Sequence, residues 1–276
     1  MTDLLWEPPG VSVIIPHFNA SDTLARALDS VSAQTWRVAE VIVVDDASDA
    51  AERGEAEAII AAHVDARIIA LERNAGPANA RNVGWDAARA PWIAFLDSDD
   101  AWHPRKIEVQ LTEAARSSPT PAMIASRTVR VNDVAELQAT ALHAPFRTST
   151  ITKAHLLLRN RMSTPSVVVR RDLPLRFAAG RRFSEDYELW LTIAGKEHWI
   201  LLVDEPLAAI FKPPYGASGL SSNMWRMIGG EYLAYIGAWR SGALSVLELV
   251  AGLASSTARS MLRLVKLLVR RDRRLQ

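Results

Sequence analysis

The 276-residue chain has no cysteine, which excludes disulfide frameworks, zinc–thiolate and iron–sulfur centres, and a cysteine nucleophile. Neither GxGxxG nor GxxxxGK[ST] occurs, so the glycine loops with which dehydrogenases and P-loop enzymes cradle phosphates are missing. No segment recurs with a period of 20–50 residues, which sets solenoids and propellers aside. Long apolar runs are lacking too. The stretch poorest in charge, 241–258, carries Glu248 and five Ser/Thr and is too polar to span a bilayer. Net charge is almost nil: 32 Lys plus Arg against 31 Asp plus Glu give +1, and no global field draws the chain to nucleic acid. The start, Met1-Thr2-Asp3, is acidic and no apolar stretch precedes Pro8-Pro9, so it does not read as a secretory signal. With the missing cysteines, this fits a cytoplasmic protein.

What is present begins with 49% hydrophobic residues, enough to bury a large core. The first hundred residues alternate β-branched runs with helical patterns. Strands are expected at 11–15, 40–44, 67–71 and 92–96. Helices are expected from Ser21, over 55–62 and over 79–90. Such alternation implies an α/β protein, a doubly wound, mostly parallel sheet with flanking helices. Beyond Pro104 the sequence predicts a helix over 105–115, short strands near 123–126, 129–131 and 167–169, and a helix opening at Glu185-Asp186. Past Ser218 it is helical almost to the end. The expected division is a catalytic domain over 1–218 and an amphipathic helical tail over 219–276.

Ligands of open parallel sheets bind beyond the carboxyl ends of the strands. Three of those ends are unusually polar: Pro16-His17-Phe18-Asn19, Asp45-Asp46-Ala47-Ser48 and Asp97-Ser98-Asp99-Asp100. Three carboxylates in four residues repel one another unless a cation neutralises them. All-oxygen ligation points to Mg2+ or Mn2+, which share carboxylates with substrate phosphates. Between the third and fourth strands, NAGPANARNVG (74–84) enters the same cleft, and Arg81 is a candidate clamp for a metal-bound diphosphate. His103 is a weaker candidate for the metal's surroundings.

Five segments together resemble an inverting family 2 glycosyltransferase of GT-A fold: VSVIIPHFN (11–19), EVIVVDDAS (40–48), NAGPANARNVG (74–84), WIAFLDSDDAWHPRKIEVQ (92–110) and FSEDYELWL (183–191). The resemblance implies a nucleotide pocket lined by Pro16, Phe18 and Asn19, with Asp46 on the base, often uracil. It implies a DxD motif in which Asp97, with Ser98 beside it, meets the ribose, Asp99 binds the divalent metal, and Asp100 extends the ligation. Asp186 is then the catalytic base, next to Glu185. Elementary chemistry agrees: the leaving diphosphate needs its growing charge stabilised, and the acceptor hydroxyl must lose a proton to a positioned carboxylate. A single displacement inverts the anomeric centre with no protein nucleophile. The QxxRW motif of processive relatives is missing, which favours transfer of one sugar. Lys212, in the loosely matching segment 211–221, is a further candidate for phosphate contact. The implied partners are a nucleotide-sugar donor, UDP-linked, and a saccharide or lipid-linked acceptor. Two other readings are a catalytically silent relative that binds another transferase, and a sugar-phosphate nucleotidyltransferase. Intact acidic motifs oppose the first. The second calls for a Gly-rich basic loop where this chain has PHFN.

The tail has a polarity of its own. Seven bases against one acid fall between Arg259 and Gln276, a local charge of +6. Leu247, Val250, Ala254, Ala258, Met261, Val265 and Leu268 recur at helical spacing, while Arg259, Arg263, Lys266 and Arg270 fall in one sector of roughly 60°. Peripheral contact of 247–274 with an anionic membrane surface, at the inner face of the membrane, fits this pattern. Packing of the apolar stripe on the catalytic domain, or on the second subunit of a homodimer, fits it as well.

Overall fold

The computed structural model describes residues 9–63, 65–211 and 224–272, with Met224 and residues 263–272 described by backbone alone. In chain order the elements are β1 (Val11–His17), α1 (Ser21–Ser32), β2 (Glu40–Asp45), α2 (Ala50–Ala61), β3 (Ala66–Ala70), α3 (Pro77–Ala87), β4 (Trp92–Phe95) and β5 (Asp100–Trp102). Then follow α4 (Lys106–Ala115), β6 (Met123–Arg130), α5 (Val134–Gln138), β7 (Thr148–Ile151), α6 (Lys153–Leu158), β8 (Val168–Arg170), α7 (Glu185–Gly195), β9 (Ile200–Ile210), α8 (Met224–Arg240) and α9 (Val246–Asp272).

The strands form one sheet in the order β3-β2-β1-β4-β8-β6-β9-β5, with β7 also on β9. β3, β2, β1 and β4 run parallel, as expected of βα repeats whose crossovers keep one hand. β8 is antiparallel to β4 and β6, whereas β6 and β9 are parallel to each other. The sheet is therefore mostly parallel, with the reversed strands confined to its second half.

Alternation along the central strands divides the core between the two faces. Ile14, Ile42, Val44, Ile93 and Phe95 join one cluster with Trp85, Tyr187 and Trp190. Val13, Ile15, Val41, Val43 and Ala94 join the other with Leu24, Leu28 and Ile107. Successive residues of a strand point to opposite faces, so a chain with both sets apolar must be covered on both sides. α3 lies very close to the sheet: a Cβ on Gly84 would sit 2.5 Å from Ile14 Cγ2, a distance only glycine permits. An aromatic run, Trp85–Phe95–Phe177–Trp190, ties this layer together at centroid separations of 5.4, 5.1 and 6.0 Å.

The helices past residue 218 share this core. Ala234, Tyr235 and Ala238 of α8 are buried with Trp190, and Tyr235 Oη lies 2.7 Å from Tyr187 Oη. Among the described residues no helix is long and apolar enough to cross a membrane.

Candidate active site

The parallel half of the sheet brings three chain segments to one edge. β1 and β2 end in register, His17 opposite Asp45 and Pro16 opposite Val44, and β4 ends one residue before Leu96, whose N–H donates to the Ile14 carbonyl at 3.1 Å. The two loops beyond β1 and β2 are laced together: Asn19 N–H donates to Ser48 Oγ at 2.9 Å, and Asn19 Oδ1 accepts from the Asp49 N–H at 3.1 Å. Asn19 has φ +45°, a conformation Asn tolerates better than most residues. Phe18 beside it is 48% exposed, a free ring face at the edge of the cleft.

Both acids after β2 are engaged by the protein. Asp45 is fully buried and pairs with Arg53 at 2.8 Å. Asp46, also buried, accepts the N–H of Ala75 at 2.8 Å on one oxygen and that of Gly76 at 2.7 Å on the other. It thus holds the segment that leads into α3. His17, buried behind them, has no hydrogen-bond partner on either ring nitrogen, and burial keeps its pKa below the usual imidazole value.

Past Leu96 the chain turns sharply, with the Asp100 N–H donating to the Asp97 carbonyl at 3.0 Å. Arg26 of α1 steadies the turn by donating to the Asp99 carbonyl at 2.6 Å. One carboxylate oxygen each of Asp97, Asp99 and Asp100 lies within 4.8 Å of the others. Asp100 is buried, whereas Asp97, Ser98 and Asp99 are partly exposed. Three hard oxygen donors this close together, two of them on partly exposed residues, could hold a divalent cation. His103 does not belong to this group. Its Nδ1 accepts the Arg105 N–H at 3.1 Å and it sits at the far end of β5.

Arg81 is placed differently from the sequence expectation. Its guanidinium is 4% exposed and faces inward, donating to Asp97 at 2.6 Å and to Glu185 at 2.9 Å. The planar fork spans two carboxylates, which a lysine would not do. The reason is positional: α3 runs beneath the sheet edge, between the turn after β4 and the start of α7. Arg81 thereby joins the acidic turn to the Glu185-Asp186 pair.

Asp186 lies in the first turn of α7. Its Oδ1 accepts the Tyr187 N–H at 2.7 Å, and Asn160 Nδ2 approaches Oδ2 at 3.4 Å. Burial, reinforced by the neighbouring Glu185 charge, pushes the Asp186 carboxyl up to about 7, against the tendency of a helix N-terminus to favour the anion. Asn160 and Arg26 were not singled out in the sequence. Each is a lone polar residue in an unremarkable context, and only the folded chain brings it to the site. Lys212 and the rest of 212–221 lie outside the described residues.

A family model described as glycosyl transferase family 2 matches residues 12–170. The chain belongs to this family. It is 44% identical over 108 residues to the succinoglycan biosynthesis protein ExoO of Rhizobium meliloti (strain 1021), across 38% of this chain and 30% of that protein. The chain thus spans less than a third of ExoO. It is 30% identical over 183 residues to WfgD of Escherichia coli, UDP-Glc:alpha-D-GlcNAc-diphosphoundecaprenol beta-1,3-glucosyltransferase, across 66% and 69% of the two chains. Among solved structures, the mannosyltransferase PcManGT from Pyrobaculum calidifontis in complex with GDP-Man and Mn2+ superposes with a TM-score of 0.63 at 18% identity, covering 92% of this chain and 74% of that one. The shared architecture is the GT-A type, and C-terminal helices are present. The family match begins inside β1 and ends with β8, so it takes in the acidic turn and Arg81. Asp186, by contrast, stands beyond its end.

Proposed function

We propose that the chain is a metal-dependent, inverting, non-processive glycosyltransferase. It moves a sugar from a nucleotide-sugar donor, UDP-linked, to a saccharide or lipid-linked acceptor in polysaccharide or glycoconjugate assembly at the inner face of the membrane. The observation that carries this reading is the continuous chain of contacts Asp97–Arg81–Glu185 leading to Asp186. It supports the reading by linking Asp186, whose carboxyl burial pushes up to about 7, to the three acids that could hold a metal. WfgD, whose name specifies UDP-Glc and a lipid diphosphate acceptor, supports the donor and acceptor classes, and the Mn2+ of PcManGT supports the metal.

In this reading Pro16, Phe18 and Asn19 form the nucleoside side of the pocket, Phe18 offering its exposed ring to the base. Asp46 shapes the floor through its two backbone bonds and meets the base with its remaining lone pairs. Asp97 and Ser98 face the ribose and diphosphate; Asp99 and Asp100 would hold Mn2+ or Mg2+. When bound, the ion would stabilise negative charge on the departing diphosphate as a Lewis acid. Asp186 takes the proton of the acceptor hydroxyl as that oxygen attacks the sugar C1, and Asn160 orients the carboxylate. Arg81 is a positioning residue in this scheme: it keeps Asp97 and Glu185 at fixed separation without touching the donor.

The test is a transfer assay with radiolabelled UDP-sugars and a lipid-diphosphate-linked acceptor, with proton NMR of the product. The expected result is one UDP released per sugar transferred and an inverted anomeric configuration. Retention of configuration would overturn the mechanism, and transfer undiminished by chelation of divalent ions would overturn the metal assignment.

A further inference from the structure

The face of α9 that packs against the body is not the apolar stripe the sequence marks: Leu249 and Leu253 join it to the core, and polar contacts flank them. Ser256 Oγ donates to Glu231 at 2.7 Å, Arg259 pairs with Glu231 at 2.9 Å, and Thr257 Oγ1 meets Tyr232 Oη at 2.7 Å. Gly252 rests directly on the Tyr235 ring, where a Cβ would come within 2.5 Å of two ring carbons, so no larger residue lets the helices approach in this orientation. Arg259, expected on a solvated basic edge, is instead consumed in this contact, donating also to the Leu158 carbonyl. Arg263, Lys266 and Arg270, expected beside it, lie outside the described side chains, as do Val265 and Leu268 of the apolar stripe.

The apolar stripe consequently faces outward. Leu247 is 82% exposed, Val246, Met261 and Leu262 are 61–62% exposed and Val250 58%, with exposed alanines between them. No exposed position from 246 to 262 carries a charge. At 100° per residue these positions occupy an arc of about 160°, far broader than the narrow seam of a paired helix. The edge beside Thr257 is aromatic: Trp225 and Trp239 of α8, both exposed, stand seven residues on either side of Tyr232, on its stripe of the helix. Indole rings at the border of an apolar face suit a lipid interface, wet at one end and apolar at the other. On the other side of α9, Leu158 is exposed and is followed by exposed Arg159 and Arg161.

We infer that this outward face of α9 docks the protein in the plane of an anionic lipid surface. Charge decides the occupant. The sequence directly after the apolar face carries six bases and one acid, from Arg263 to Arg274, a polybasic segment complementary to acidic headgroups. The apolar arc supplies burial and the bases supply attraction, the two components an interfacial helix requires. The dock also lies close to the chemistry. Ser255 and Arg259 of α9 bond the Leu158 carbonyl, and Asn160, two residues on, reaches Asp186. A lipid-linked acceptor would thus meet the base at the membrane surface. That last link rests on the function proposed above; the docking itself does not.

The experiment uses the full chain without donor or acceptor, so its outcome is independent of sugar transfer. Flotation with vesicles of phosphatidylglycerol in phosphatidylcholine should carry the protein upward, with a blue shift of tryptophan emission, and vesicles of phosphatidylcholine alone should carry much less. Leu247→Glu combined with Met261→Glu places charges at largely exposed sites, so the circular dichroism spectrum should be unchanged while partitioning falls about tenfold or more. Binding that is absent, or that survives the double substitution, would overturn the inference. So would a dimer, seen by sedimentation, that the same substitutions dissociate, because a second copy of the chain would then cover the face.

Discussion

The base role proposed for Asp186 calls for a raised proton affinity, which the carboxyl obtains from burial first and from the Glu185 charge second. The anion is therefore disfavoured in the fold, and the sign of its contribution follows. Stability due to this group declines as pH rises from its ordinary value of 3.8 toward about 7. Asp186→Asn removes that penalty. It should leave donor affinity within a few-fold, lower transfer by on the order of 10²–10⁴, and raise the melting temperature at about pH 8 more than at pH 4. A variant with near-normal turnover would refute the base assignment. The wild-type rate should climb with pH through about 7. Arg81 gives a second prediction at this scale. Arg81→Met keeps volume but leaves Asp97 and Glu185 facing each other across a buried gap, at a cost of about 3 kcal/mol in urea unfolding; a loss below about 1 kcal/mol would show that the bridge contributes little. The acids themselves were legible because they cluster within four residues or sit side by side. The inward turn of Arg81 was not, since it depends on α7, whose Glu185 is 104 residues away.

Elements follow the same division. β1, β2 and β4 and the helices between them were visible as apolar periodicity, within a few residues of their ends. β9, the longest strand, escaped because Asp204, Glu205 and Pro206 interrupt its apolar run; the register against β6 shifts near these residues, a bulge that leaves local pattern ambiguous. The two short strands expected at 123–126 and 129–131 are one strand, β6, for the same reason. The face of α9 that packs was misleading in another way, because close approach demands Gly252 and the small Ser256 alongside Leu249 and Leu253, which thins the apolar signal of the buried face. Two changes probe these packings. Gly84→Ala forces a methyl into Ile14 and should cost roughly 1–3 kcal/mol by overpacking, read as a lower urea midpoint. A chain ending after Leu262 keeps the Ser256 and Arg259 ties and should unfold like the full chain, whereas one ending at Ser255 loses both and should melt earlier. Equal melting temperatures would mean that the part of α9 beyond Ser255 adds nothing to stability.

At the scale of the whole molecule, the parallel half of the sheet carries the acidic turn and α7 brings up Asp186, the donor side and the base of the proposed reaction. The order of motifs along the sequence was thus readable as the order of segments at the sheet edge, while the contacts of Asn160 and α9 with their neighbours carried no local signature. The central claim is that the acidic turn binds a nucleotide through a divalent cation. Calorimetric titration of UDP with and without Mn2+, on the wild-type chain and on Asp99→Ala, addresses it most directly. The account predicts saturable binding that requires Mn2+ in the wild type and is lost in Asp99→Ala, whose melting temperature should otherwise be close to that of the parent. Binding of UDP to Asp99→Ala with unchanged Mn2+ dependence, or wild-type binding indifferent to the ion, would contradict it.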